Sequence, residues 1–208
     1  MANFLGNIRN VAWTSAILGA LFLLFYALSM QSRAFGDPIV WQVILRWAHV
    51  ASGIMWIGHL YYFNFTQIPN VPKIPEEHRG PAISKVIAPA ALYWFRWGAV
   101  ATLVTGILLA WNQGYLLHAY SLGLTDNFQT PKYIFIGIGM WLATIMFINV
   151  WAIIWPNQQK ALNINDRYPD IAKEQRAKHA RTAMLFSRTN TLLSLPMLVA
   201  MTGAQTFN

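Results

Sequence analysis

Residues 133–155 read YIFIGIGMWLATIMFINVWAIIW, a run with no charged side chain. At the helical rise of about 1.5 Å per residue this run is long enough to cross a hydrocarbon layer of about 30 Å. Four more apolar runs lie on either side of it, at 11–30, 40–65, 87–111 and 182–204. The pattern predicts an all-α integral membrane bundle of five transmembrane helices, forming one membrane domain over residues 1–208. Composition agrees. The chain is 56% hydrophobic and only 11% charged, whereas soluble domains carry about 25% charged residues. Only ten residues precede the first run and no small-residue cleavage site follows it, so it is expected to be a retained anchor. Trp13, Trp41, Trp111, Tyr133 and Trp155 sit near the ends of the runs, as an interfacial aromatic belt would.

The net charge of +8 has a topological reading. Ten of the fifteen Lys and Arg fall in the N-terminus, the 66–86 loop and the 156–181 loop, while Arg33 and Lys132 stand alone in the alternate loops. Cytoplasmic loops carry the excess of Lys and Arg, which predicts the N-terminus inside and the C-terminus outside. The cations also suit anionic membrane lipids. No soluble basic face with base-reading elements accompanies them, so no nucleic acid is expected as a partner. The inner loop from Asp170 through IAKEQRAKHAR is expected to be helical and to run straight into the fifth span. There is no cysteine, which excludes disulfides, Fe–S clusters and c-type haem attachment within this chain.

Three cations, Arg46, Arg96 and Arg188, fall inside the runs, and all seven Asp and Glu fall outside them. An arginine deep in lipid costs about 2.5–3.5 kcal/mol or more unless it snorkels or finds a partner. Arg96 is about 13 Å from the inner end of its run, and Arg188, His59 and Asn149 are each about 9 Å from theirs. This donor-rich, acid-free set points to an anion, whether a haem propionate, a lipid phosphate or an anionic substrate. The alternative is that both arginines snorkel to lipid heads.

The run 40–65 contains RWAHVASGIMWIGHLYYFNF, residues 46–65. At 100° per residue His49, Trp56 and His59 share one helix face. The two histidines are about 15 Å apart along the axis, too far to hold one metal ion together. They could instead serve two sites at different depths. Haem b iron takes an imidazole and accepts a second His or a Met opposite it. Met140, Met184, Met197 and Met201 are the soft-ligand candidates.

The stretch RWAHVASGIMWIGHLYYFNF, then PKIPEEHR, APAALYWFRWGAVATLVTGILLA and RTAMLFSRTNTLLSLPMLVAM, resembles the urate oxidase N-terminal domain family over roughly residues 40–204. These are membrane domains of bacterial urate hydroxylases that use a cytochrome c as electron acceptor. The resemblance implies a multi-pass protein of the bacterial inner membrane concerned with purine catabolism. It also implies a short form lacking the C-terminal cytochrome c domain, so that the acceptor is a separate cytochrome c. Urate is a flat anion near neutral pH. Arg96, Arg188 and Asn149, with Trp56 as an aromatic wall, form the expected anion site, and His49 and His59 the expected haem-iron residues. Arg96 and Arg188 suit haem propionates equally well, and the residues alone do not separate the two ligands. A different class of function stays open beside this one, a non-catalytic accessory transmembrane subunit of a larger respiratory or photosynthetic membrane complex.

Overall fold

The computed structural model describes residues 2–29 and 37–206. Every regular element among them is helical, as expected. After a short turn at Ala2–Leu5 come α1 (Ile8–Ser29), α2 (Pro38–Tyr61), α3 (Ala88–Asn112), α4 (Leu116–Tyr120), α5 (Pro131–Ile148), α6 (Trp155–Leu162) and α7 (Lys173–Gly203). Met30, at the end of the first apolar run, and Arg33 lie outside the described residues. Three helical stretches are long and apolar enough to cross a membrane, Ile8–Tyr26, Glu76–Asn112 and Pro131–Leu162. The expected spans in α2 and α7 are not among them: both have the length, but α2 carries Arg46 and two histidines, and the second half of α7 carries Arg188, Asn190 and several Ser and Thr.

The helices overrun the apolar stretches that announce them. α2 starts where Asp37 accepts the Ile39 N–H at 2.8 Å and Pro38 takes the first turn, where its missing N–H costs nothing. It then passes through a π-helical turn, Tyr62–Gln67, into Ile68–Asn70. Two other wide turns, Arg79–Ile87 and Asn149–Ile154, lead into α3 and α6. Each of the three is followed two residues later by a proline: Pro69, Pro89 and Pro156. A proline inside a helix removes an N–H and collides with the carbonyl four residues back. Widening the preceding turn relieves that collision, and the helix continues where the sequence suggests a stop. The expected helix after Asp170 starts three residues late, residues 170–172 being non-helical, and then runs unbroken as α7 from Lys173 through the apolar segment.

α2 and α3 pack along most of their length, while α7 packs on α5 and α6. Gly98 allows the first contact, since a Cβ there would sit 3.2 Å from the Trp56 backbone nitrogen. Trp56, Leu60, Phe95, Met146 and Val150 are fully buried in the resulting core. A buried polar ladder ties α7 to its neighbours. Asn190 donates to the Met146 carbonyl at 2.9 Å and accepts from Asn149 at 2.8 Å. Asn64 donates to Ser187 Oγ at 2.8 Å, and Tyr61 meets Ser194 at 2.9 Å. α1 stands apart from this bundle. It touches α2 beside Trp47, against Gly19, and its Trp13, Phe22, Phe25 and Leu28 are all exposed.

Candidate functional site

Two cavities lie at opposite ends of the bundle. The first, of about 450 Å³, sits beneath the connection between α6 and α7. α3 contributes Tyr93, Arg96 and Trp97, the wide turn and α6 contribute Trp151, Trp155 and Gln159, and the connection contributes Asn165 and Arg167. The Arg96 guanidinium lies 3.8 Å from the centre of the Trp155 ring and 5.5 Å from that of Tyr93. A guanidinium over an aromatic face is held by the ring quadrupole while its edge N–H groups stay free for a ligand. Among the described residues no carboxylate lines this cavity. The Trp151 indole packs edge-on to Trp97 at 5.6 Å, and its buried Nε1–H has no hydrogen-bond partner. A buried donor without a partner loses its hydration uncompensated, so a ligand acceptor at that point would gain from it.

The strap that covers this cavity is held in place locally. Asn163, Asn165 and Asp166 have φ of 49°, 57° and 52°, a left-handed region where Asn and Asp are the tolerated non-glycine residues. Asn163 ends α6, accepts the Tyr168 N–H at 2.8 Å and donates to Asp166 at 3.0 Å. Lys85, on the turn before α3, donates to the same Asp166 carboxylate at 2.8 Å. That hydrogen bond, with the lysine charge behind it, holds the Asp166 carboxyl below its ordinary pKa.

The second cavity, of about 580 Å³, opens among α2, α3, α5 and α7 near the α3–α4 connection. His49 lines it, and Nδ1 donates to the Thr102 carbonyl at 2.9 Å. A carbonyl can only accept, so a proton is on Nδ1, and in the neutral ring the lone pair is then on Nε2. Gly106 makes room for this ring; a Cβ there would come within 2.8 Å of His49 Cε1. Met140, Met197 and Met201 line the same cavity. So does Trp56, only 1% exposed, whose Nε1–H is buried without a partner. Arg46, Gln113, Tyr115 and Gln205 are among its polar lining side chains. Burial pushes the Tyr115 phenol up from its ordinary pKa, with the Arg46 charge pulling the other way, so the phenol keeps its donor proton.

The expected residues are therefore divided between places. Arg96 lies in the arginine cavity; His49 and Trp56 lie in the histidine cavity. His59 lines neither and donates Nδ1–H to the Met55 carbonyl of its own helix at 2.7 Å. Asn149 is buried on Asn190, and Arg188 is exposed on α7; neither lines the arginine cavity. The structure thus does not bring Arg188, Asn149 and Trp56 to Arg96. Sequence reasoning missed Trp151, Trp155, Gln159 and Arg167. The first three stand at four-residue spacing on one helix face, a signal hidden by the interfacial-belt reading of Trp155 and the proline at 156.

Residues 113–206, just under half of the chain, match the family model described as urate oxidase N-terminal. No curated protein and no solved structure matches the chain. The matched stretch holds Asn149, Trp151, Trp155, Arg167 and Arg188, whereas His49, Trp56, His59 and Arg96 precede it. One wall of each cavity is therefore inside the match and one outside it, and the match supports the resemblance to the urate oxidase N-terminal family through residues 113–206, where, of the four stretches that carry it, RTAMLFSRTNTLLSLPMLVAM falls.

Proposed function

We propose that this is a urate-oxidase-type membrane redox protein of the bacterial inner membrane. It has five spans, a cytoplasmic N-terminus and an outer C-terminus, and it passes electrons to a separate cytochrome c. In that orientation the arginine cavity faces the cytoplasm and the histidine cavity the outer side. The observation that carries the reading is Arg96, a cation held on Trp155 in an acid-free, aromatic-walled cavity, within a chain that matches the family.

A planar purine anion fits this chemistry. Arg96 and Arg167 supply positive charge from two separate elements, and a guanidinium offers paired donors to a purine edge. Trp97 and Tyr93 supply aromatic surface for the ring. The unpartnered Trp151 N–H donates to a ring carbonyl. Binding the purine as its anion keeps it in the electron-rich form that oxidation requires. Hydroxylation then removes two electrons and two protons, with water as the oxygen source, and two cytochrome c molecules each take one electron. A b-type haem, when bound, supplies one-electron relay chemistry across the bilayer. Among the residues present His49 fits it best, because its Nδ1 proton is already engaged and Nε2 is free.

The test is anaerobic reduction of added ferricytochrome c by the purified, haem-loaded protein. Urate-dependent reduction supports the reading; none, from correctly assembled protein, refutes it. A second reading, a non-catalytic subunit of a larger respiratory or photosynthetic complex, is favoured by α1, which leaves its apolar side chains outside the bundle. Native gel migration as a large stable assembly, together with no urate activity, would favour that reading instead.

A further inference from the structure

We infer that the histidine cavity is a haem b site that His49, through Nε2, and a buried methionine, Met140 or Met197, would hold. The inference rests on the proposed redox function and assigns the residues that would hold its cofactor. Three observations carry it.

The first is the histidine. Ligating imidazoles hand their other ring proton to a carbonyl or carboxylate, which fixes tautomer and ring orientation. His49 does this with the Thr102 carbonyl at 2.9 Å, and the missing side chain at Gly106 leaves the space the ring needs. The ring so held is one of the residues that line the cavity.

The second is the thioether supply. Met140 and Met197 are buried, 7% and 5% exposed, and line the cavity with His49. Thioethers are accepted as second axial ligands of haem iron. Met201 also lines the cavity but is only partly buried.

The third is the distribution of polarity. The cavity of about 580 Å³ falls within the usual range for ligand sites, about 300–1,000 Å³. Its walls are mostly apolar, and Arg46, Gln113, Tyr115 and Gln205 are among the charged and hydrogen-bonding groups on them. Mostly apolar walls with an arginine among their polar groups suit a flat apolar macrocycle that carries carboxylates. A water-soluble ligand would leave most of these walls unused, and a lipid chain would make no use of the imidazole.

The experiment adds haemin to the detergent-solubilised full chain and measures the Soret band, the haem content and the midpoint potential. The expected result is saturable binding of one haem per chain. His49→Gly should lose the b-type spectrum, and added imidazole should restore it. Gly106→Ala keeps the histidine but displaces its ring, and haemin affinity should fall about 10–100-fold. Met140→Leu and Met197→Leu conserve volume, and one of them should change the reduced spectrum and lower the potential. Equal haemin binding by the parent and His49→Gly proteins would overturn the site. Unchanged spectra and potentials in both methionine variants would overturn the methionine ligand. Urate-dependent cytochrome c reduction by haem-free His49→Gly would overturn this inference and leave the proposed function standing. Haem bound through His49 without any urate turnover would do the reverse.

Discussion

The two cavities are of similar size and are built from different materials. The arginine cavity is made of surface-reaching parts: a guanidinium on an indole, an exposed strap and a second arginine at the edge of the bundle. The histidine cavity is made of core parts: an oriented imidazole, buried thioethers and a fully buried tryptophan. Charge is easiest to keep near water, where an ion costs little to hold. An imidazole and thioethers tolerate lipid depth far better. The difference teaches that one end of this bundle suits a soluble anion and the other a lipophilic group, with the asparagine ladder locking the helices between them.

Four changes would break or sharpen that contrast. The largest effect is expected at Gly137, where a side chain would run into the Ala119 carbonyl. Gly137→Val should displace α4 from α5 and cost about 3 kcal/mol or more by overpacking against backbone. Thermal unfolding in detergent would show it, and the distortion should be confined to the histidine-cavity end. Next is Arg96→Gln, which removes the cation and leaves the histidine cavity untouched. Urate affinity, followed by tryptophan quenching, should fall by about 2 kcal/mol, the loss of a charge-assisted hydrogen bond. An unchanged affinity would remove Arg96 from the site.

Asn190→Ala comes third. It leaves Asn149 and the Met146 carbonyl without their buried partner and should cost about 1–2 kcal/mol, destabilising the bundle without favouring either cavity. The smallest effect is at the strap. Asp166 is held below its ordinary pKa mainly by its hydrogen bond to Lys85. A carboxylate of this kind contributes stability above its unfolded pKa of about 3.9 and loses it as pH falls through the lower folded value. Limited proteolysis of residues 163–167 should therefore speed up in acid below about pH 4. Lys85→Ala should speed it near neutral pH, and high salt should erase the difference because the pair is exposed.

The helices were legible because apolar runs of spanning length leave little else for the backbone to do. The junction into α7 was legible too, since nothing between Lys173 and Thr182 breaks a helix. The continuations past Pro69 and Pro156 were not, because three wide turns absorb prolines that in isolation signal a stop. At the sites, Arg96 and His49 stand out as ionisable groups within apolar runs. Their companions did not. Asn149 looked like a ligand group, yet its amide is spent on Asn190. Arg167 looked like a topology signal, yet the left-handed turn at Asn163–Asp166 brings it to the cavity. Helix-face arithmetic put His49 and His59 together, but 80° of separation is enough for one to line the cavity and the other to bond its own helix.

The most direct test of two separate sites is equilibrium urate binding to the parent, Arg96→Gln and His49→Gly proteins, each first shown to be monodisperse. The account predicts strong loss of binding in Arg96→Gln and unchanged binding in His49→Gly. Loss in His49→Gly with binding preserved in Arg96→Gln would contradict it.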